Sequence, residues 1–463
     1  MLPTHYHEEP NGIMRIGIVP SLNPSWGGVY QHSLTMLRAL DELRKDRCED
    51  EFVVFAPDVP HPALESLNGD GWTVKPLAPS APNRPPSLQQ RALDVLGRIV
   101  GEGPHREVWR WMKRKLRRAP RRDETPLPDP DIIRTRPDKT LWFRRCGIDL
   151  MLYPVPDRLS FETELPYVMA IPDLQHRLQP EFPEVSANGE WEWREYYYRN
   201  GARYATLLLT DSEVGKEDIL NCYGPYGVTP DRVKVLPFIP ACYLAQDVPE
   251  GERRRVRATY HLPERYLFYP AQFWPHKNHI RIVQALGLLK QAHQVKIPVV
   301  FCGSHDGEIR EATFREVMTL RCQLGLEEEI RYLGYVPDAD MSGLYAGAAA
   351  LVMPTFFGPT NIPVVEAWRF WCPVLTSDIR GIREQAGKAA VLVDPRSVEA
   401  IADGIYQLWT DESLRNVLAD AGRQRLAAYT PDYYRRELMA ILEDAKARIR
   451  SETGRMKPRK NGL

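Results

Sequence analysis

The sequence predicts an α/β protein of two doubly wound, Rossmann-like domains facing each other across a cleft. Three observations lead there. Short β-branched apolar runs alternate with helical patterns. That alternation breaks off once, near residues 239–255, and then starts again. The 463 residues are also too many for one comfortable core.

The elements follow in order. "IMRIGIVP" (13–20) reads as a buried parallel strand, "SLNPSWGG" as a glycine loop and "VYQHSLTMLRALDEL" as a helix. "EFVVFAP" (51–57), "DLMLYPVP", "YVMAIPD", "ATLLLTDSE" and "RVKVLPF" (232–238) continue as strands, with a helix over "SEVGKEDILNCYG". The second series opens on "RYLFYP" and "NHIRIVQALGLLKQA". It runs through the strands "IPVVFCG", "IRYLGYV", "AALVMPT", "PVLTSD" and "AVLVDP". Helices are expected over "TFREVMTLRCQLGL", "DADMSGLYAGA", "PVVEAWRFW" and "GIREQAG". The expected domains are 1–245 and 255–430. Residues 431–463 form a C-terminal helix, returning to the first domain, and a basic tail.

Composition sets limits. Lys plus Arg and Asp plus Glu both number 61, so the chain as a whole is no polyanion binder, and no nucleic-acid partner is expected. The 7 cysteines are scattered without a C-x-x-C, which fits a reducing cytoplasm better than a disulfide framework. The N-terminus has no basic start followed by an apolar run, so no signal peptide is expected. No apolar stretch is long enough to span a bilayer, so membrane contact is expected to be peripheral, at the inner face.

An insertion over about 78–140 breaks the rhythm. Between its proline clusters lies "REVWRWMKRKLRR" (106–118), where cations flank Trp109, Trp111 and Leu116. This is the composition of an interfacial helix seeking anionic lipid. It is equally that of a basic face covering its own domain.

Two segments carry the chemistry. In "YPAQFWPHKNHIRIVQAL" Lys277 stands just before a helix, with Asn278 at the N-cap position, so a cation and a helix N-terminus address one spot. In "PTFFGPTNIPVVEAW" a turn ending at Asn361 follows an apolar strand, and Pro363 suits the first helical turn. Backbone N–H groups are then presented at the carboxyl end of a strand, where open α/β sheets bind ligands. Glu366, one turn on, reads either as an acceptor for ribose hydroxyls or as a residue complementing the helix dipole.

These segments, with "FCGSHDG", "IRYLGYVPDADMSGLYAGAAALVM" and "CPVLTSDIRGIREQAGKAAVLVDP", resemble the C-terminal domain of retaining glycosyltransferases of family 4, which have the GT-B fold. "SWGGVYQHS", "IPDLQHRLQPEF" and "TDSEVGKEDILNCYG" extend the likeness into the first half. The resemblance implies a nucleotide-diphosphate sugar as co-substrate and a saccharide or lipid-linked saccharide acceptor. Lys277 would bind the donor diphosphate, with Asn278 and Gly303 in the same donor site. Tyr335 and Val336 would cradle the base, and Glu366 would hold the ribose. The family's arginine five positions before the lysine is Gln272 here. Its first glutamate is Gly358. Contacts to donor-sugar hydroxyls then fall to Thr360, Asn361 and the backbone of Ile362. Gly27 and Gly28 would let the first loop approach phosphate and acceptor.

Where the family has His-Asp, this chain has Pro172-Asp173. A role for the Pro172 carbonyl near the anomeric carbon survives, because proline keeps its C=O. Asp173 and His176 are candidates for orienting the acceptor; a helix-capping Asp173 and a packed His176 are the alternatives. Asp-x-Asp occurs at Asp129/Asp131 and Asp338/Asp340, both better read as turn and cap residues than as metal ligands. No metal and no prosthetic group is expected. A non-catalytic nucleotide-sugar binder of the same fold, or an epimerase or phosphorylase, are the other readings.

Overall fold

The structure, a computed structural model, describes residues 13–46, 49–67, 72–78, 126–245 and 247–455. The basic segment 106–118 lies outside them.

The first sheet holds seven parallel strands: β1 (Arg15–Ile18), β2 (Glu51–Ala56), β3 (Trp72–Pro76), β4 (Leu150–Tyr153), β5 (Tyr167–Ala170), β6 (Leu207–Thr210) and β7 (Val233–Val235). Their order is β3-β2-β1-β4-β5-β6-β7. The second sheet holds β8 (Leu267–Pro270), β9 (Val299–Cys302), β10 (Ile330–Tyr332), β11 (Ala350–Met353), β12 (Val374–Ser377) and β13 (Val391–Val393), in the order β10-β9-β8-β11-β12-β13. All pairs are parallel. β4, β5, β9 and β11 are buried at every residue, because helices cover both faces of each sheet. In both sheets the strand order reverses beside the first strand, at β1/β4 and β8/β11. Such a reversal opens a crevice at the carboxyl ends.

One strand was not expected from the sequence. β3 is an edge strand, only partly buried, and carries Lys75 and Pro76. An edge tolerates both residues, so the apolar alternation that marks inner strands is missing.

The last helix, Pro431–Arg455, packs on the first domain. Tyr434, Leu438, Leu442 and Ala445 join one core with Ile16, Met36 and Leu40. Lys446, almost fully buried, pairs with Asp50, which also accepts the Met14 N–H at 2.9 Å. Arg435–Glu42 (3.1 Å), Lys234–Asp444 (2.7 Å) and Arg448–Asp231 (2.8 Å) add ion pairs along the same face. Tyr429, just before this helix, touches the cores of both domains. Among the described residues no helix is long and apolar enough to cross a membrane.

Candidate active site

A cavity of about 1260 Å³ lies between the two domains at the carboxyl ends of both sheets. Loops after β1 and β5 line it from the first domain, and loops after β8, β9, β10 and β11 from the second.

The loop after β8 is braced on two sides. His276 Nδ1 lies 2.5 Å from Glu184 Oε1 of the first domain, and the His276 N–H donates to the same carboxylate at 3.1 Å. The His276 carbonyl accepts from the Thr355 hydroxyl (3.0 Å) and the Phe356 N–H (2.8 Å) of the loop after β11. The next residue is Lys277, whose carbonyl accepts from Tyr269 OH at 2.6 Å. Its side chain faces the cavity, and its ammonium has no hydrogen bond or ion pair among the described residues. Burial pushes this amine down to about 8, partly opposed by the charges of Asp173 and Glu184.

Asn278 does not share the site. It stands at the N-cap position of the helix His279–His293 with φ of +62°, a left-handed conformation that asparagine tolerates. Its carboxamide donates to the Pro354 and Pro395 carbonyls at 2.7 and 2.8 Å and caps nothing. It ties loops together behind the site, which corrects its expected place in the donor site.

The loop after β11 is held from below. Gln385 accepts the Asn361 N–H and donates to the Asn361 carbonyl, both at 3.0 Å. Gly381 lets the backbone of Pro359 approach so closely that a Cβ at 381 would lie 2.0 Å from the Pro359 oxygen. At Gly358 φ is +144°, and a Cβ there would meet the Asn361 carboxamide at about 3 Å. Asn361 thus fills the space a side chain at 358 would need. Its Nδ2 is buried without a hydrogen-bond partner among the described residues, and the residue lines the cavity. Thr360 also lines the cavity, but its hydroxyl donates to Asp211 of the first domain. Burial raises that carboxyl to about 7. Thr360 therefore latches the domains, and its hydroxyl is taken.

The helix Ile362–Arg369 starts here, with Ile362 at the cavity wall. One turn in, Glu366 reaches the same cavity while only 4% exposed. Tyr345 OH donates to its Oε2 at 2.7 Å, yet burial still lifts the carboxyl to about 7. Tyr335, 67% exposed, and buried Val336 line the opening beside it. Gly303 is required by close approach: with φ of +136°, a Cβ would lie 2.5 Å from the Ala271 oxygen.

On the facing side, a Cβ at Gly27 would lie 3.2 Å from Gln272 Nε2, and one at Gly28 would lie 3.7 Å from Ile362 Cδ1. The glycine loop therefore abuts both the loop after β8 and the helix start at Ile362. Pro172 and Asp173 line the cavity. Asp173 Oδ1 accepts the Gln175 N–H at 3.0 Å and lies 3.5 Å from Arg194 Nη1. His176 takes the packed alternative and not the acceptor-orienting one. It is fully buried, with Nε2 3.2 Å from Tyr223 OH and 3.4 Å from Glu195 Oε2, and its ring is edge-on to Tyr198. The short helix Gln175–Leu178 turns that side chain into the core, where it packs.

Sequence reasoning missed Arg310, Asp211 and Glu184. Arg310 and Glu184 lie outside the quoted segments, and Asp211 lies in "TDSEVGKEDILNCYG" without having been singled out. Asp211 and Glu184 act through contacts between the two domains, and Arg310 through Gln272 and Trp274 of its own domain. Asp131 pairs with Arg199 (2.6 Å), while Asp340 pairs with Arg255 and accepts from Tyr260 OH (2.6 Å). Among the described residues no group of three His, Cys, Asp or Glu side chains could hold a metal.

Residues 253–425 match the family model for glycosyl transferases group 1. The chain is 28% identical over 264 residues to the O-antigen chain mannosyltransferase B of Escherichia coli, covering 54% of this chain and 66% of that one. It is 26% identical over 257 residues to a D-inositol 3-phosphate glycosyltransferase of Salinispora arenicola, covering 52% and 56%. The matched segments thus span about two thirds or less of these relatives. In fold it is similar to sucrose-phosphate synthase from Thermosynechococcus elongatus (TM-score 0.65, 14% identity, 94% of this chain and 99% of that one). It is likewise similar to Anabaena HepE in complex with UDP and glucose (TM-score 0.63, 15% identity, 93% and 99%). Residues 253–425 are thus similar to the glycosyl transferases group 1, and the chain as a whole has the two-domain GT-B fold.

Proposed function

We propose that this protein is a retaining, metal-independent glycosyltransferase. It moves a sugar from a nucleotide-diphosphate donor to a saccharide or lipid-linked saccharide acceptor at the cytoplasmic membrane face. The observation that carries the reading is the convergence of three groups on one interdomain cavity. These are the Lys277 ammonium and the Asn361 amide, both without a hydrogen-bond partner among the described residues, and the buried Glu366 carboxylate. An ammonium suits a diphosphate, a carboxylate suits vicinal hydroxyls, and the helix start at Ile362 favours negative charge.

Charge develops on the departing diphosphate as the glycosidic bond breaks. Lys277 and the Ile362 helix N-terminus stabilise it in a site partly shielded from water. The first domain offers Asp173 and the Pro172 carbonyl to the acceptor side. The names of relatives point the acceptor toward surface polysaccharide: one is an O-antigen mannosyltransferase, and a fold neighbour, WaaG, is a glycosyltransferase involved in lipopolysaccharide biosynthesis. The decisive experiment is a thermal-shift screen of nucleoside diphosphates, followed by transfer from the matching sugar donors. A true product raises Tm through linkage. Binding with no turnover across donors and acceptors would favour a non-catalytic nucleotide-sugar binder.

Two predictions belong here. Glu366→Gln should weaken the ribonucleoside diphosphate about tenfold, in line with a lost charged hydrogen bond of roughly 1.5 kcal/mol. It should also abolish the preference over the 2′,3′-dideoxy analogue; an intact preference by calorimetry would refute the ribose role. Transfer should be unchanged in chelator. Activity lost there and restored by Mn²⁺ or Mg²⁺ would overturn metal independence.

A further inference from the structure

Besides Lys277, one other cation faces the cavity without an acidic partner among the described residues. Arg310 lies in the first turn of the helix Glu308–Gln323, after β9. Its Nη1 donates to Gln272 Oε1 at 2.9 Å, and its guanidinium lies over the Trp274 ring at 4.6 Å. The Trp274 indole donates to the same Gln272 oxygen at 2.9 Å. The Arg310 Nε is buried and makes no hydrogen bond among the described residues. The other basic side chains at the wall are engaged: Arg194 with Asp173 and Glu190, His276 with Glu184.

Trp274 and Gln272 thus act as a bracket, one ring face and one amide oxygen fixing a guanidinium that makes no ion pair among the described residues. Arginine forks match phosphate oxygens, and a pre-held fork loses less freedom on binding than a loose one. Gln272 is also the residue nearest the first domain's Gly27, so the bracket stands where the two domains meet.

The geometry points to Arg310 as the second diphosphate-binding cation, held by Gln272 as a positioning residue, so that a glutamine in the loop after β8 and an arginine from the next helix share one task. This rests on the donor site proposed above. It adds the arginine to it and explains how a glutamine serves at position 272.

The test uses the full chain and whichever of UDP, GDP or ADP binds it, with the matching nucleoside alongside. Arg310→Ala should weaken the diphosphate at least tenfold and leave the nucleoside's affinity unchanged. Arg310→Ala/Gln272→Arg returns a guanidinium to the bracket from the other side, and should recover most of the loss. Gln272→Ala should weaken the diphosphate severalfold alone and add nothing to Arg310→Ala. Unchanged diphosphate affinity in Arg310→Ala, with Lys277→Ala still losing it, overturns the inference and leaves the donor site standing. An equal loss for nucleoside and diphosphate also overturns it. Failure of every nucleoside diphosphate to bind the wild type would instead remove the donor site itself.

Discussion

Lys277→Ala should lower kcat/KM about tenfold to a hundredfold, the range for losing a charge-assisted contact of roughly 1.5–3 kcal/mol. The loss should appear in kcat as well as KM, because the ammonium meets charge that grows as the bond breaks. The same residue predicts a pH response with a definite sign. Burial holds its amine at about 8 instead of the usual 10.5. Between those values the folded chain carries one proton fewer than the unfolded chain, so this group's contribution to stability rises with pH across the window. Diphosphate affinity runs the other way. It needs the ammonium, and so should fall as pH passes about 8. That fall should vanish in Lys277→Ala, and calorimetry across pH 7–9 reads it directly. A near-wild-type kcat/KM in the variant would remove the central role assigned to this residue.

Lys446→Ala should destabilise the fold by about 3–5 kcal/mol, measured by urea unfolding. The reason is asymmetry: breaking a buried pair leaves an uncompensated charge inside. Asp50, almost fully buried, would lose its cationic partner while still accepting the Met14 N–H. The variant should also loosen the last helix selectively, seen as faster amide exchange over 431–455. Lys446→Met, tested beside Asp50→Asn, separates the pair from its packing. If both single variants are costly and the double is mild, the penalty lies in the stranded charge. A loss under 1 kcal/mol in Lys446→Ala would mean the pair is hydrated and not a lock.

Much of the fold was legible because its inner strands are short apolar runs bounded by turn residues, a pattern dictated by burial on both faces. The edge strand Trp72–Pro76 was not, since an edge does not impose that pattern. The helix Glu308–Gln323 begins five residues before its expected start at Thr313, because Glu308, Ile309, Arg310, Glu311 and Ala312 carry no clear apolar period. That offset left Arg310 in an unassigned loop. Lys277, Asn361 and Glu366 could be found because each sits at a helix start after a strand, a place the sequence marks. His176 and Asn278 went astray for a common reason. Spacing places a residue on an element, but the direction of its side chain depends on the neighbours it meets. His176 met Tyr223 and Glu195, and Asn278 met two carbonyls.

The last helix returns to the domain where the chain began, so the polypeptide crosses between lobes twice: after β7 and again beside Tyr429. A body pinned at one point swivels about three axes; pinned at two, it keeps chiefly the rotation about the line joining the pins. Opening should therefore resemble a door on two hinges, and a break in the chain at either crossing should free motions that the intact molecule does not make.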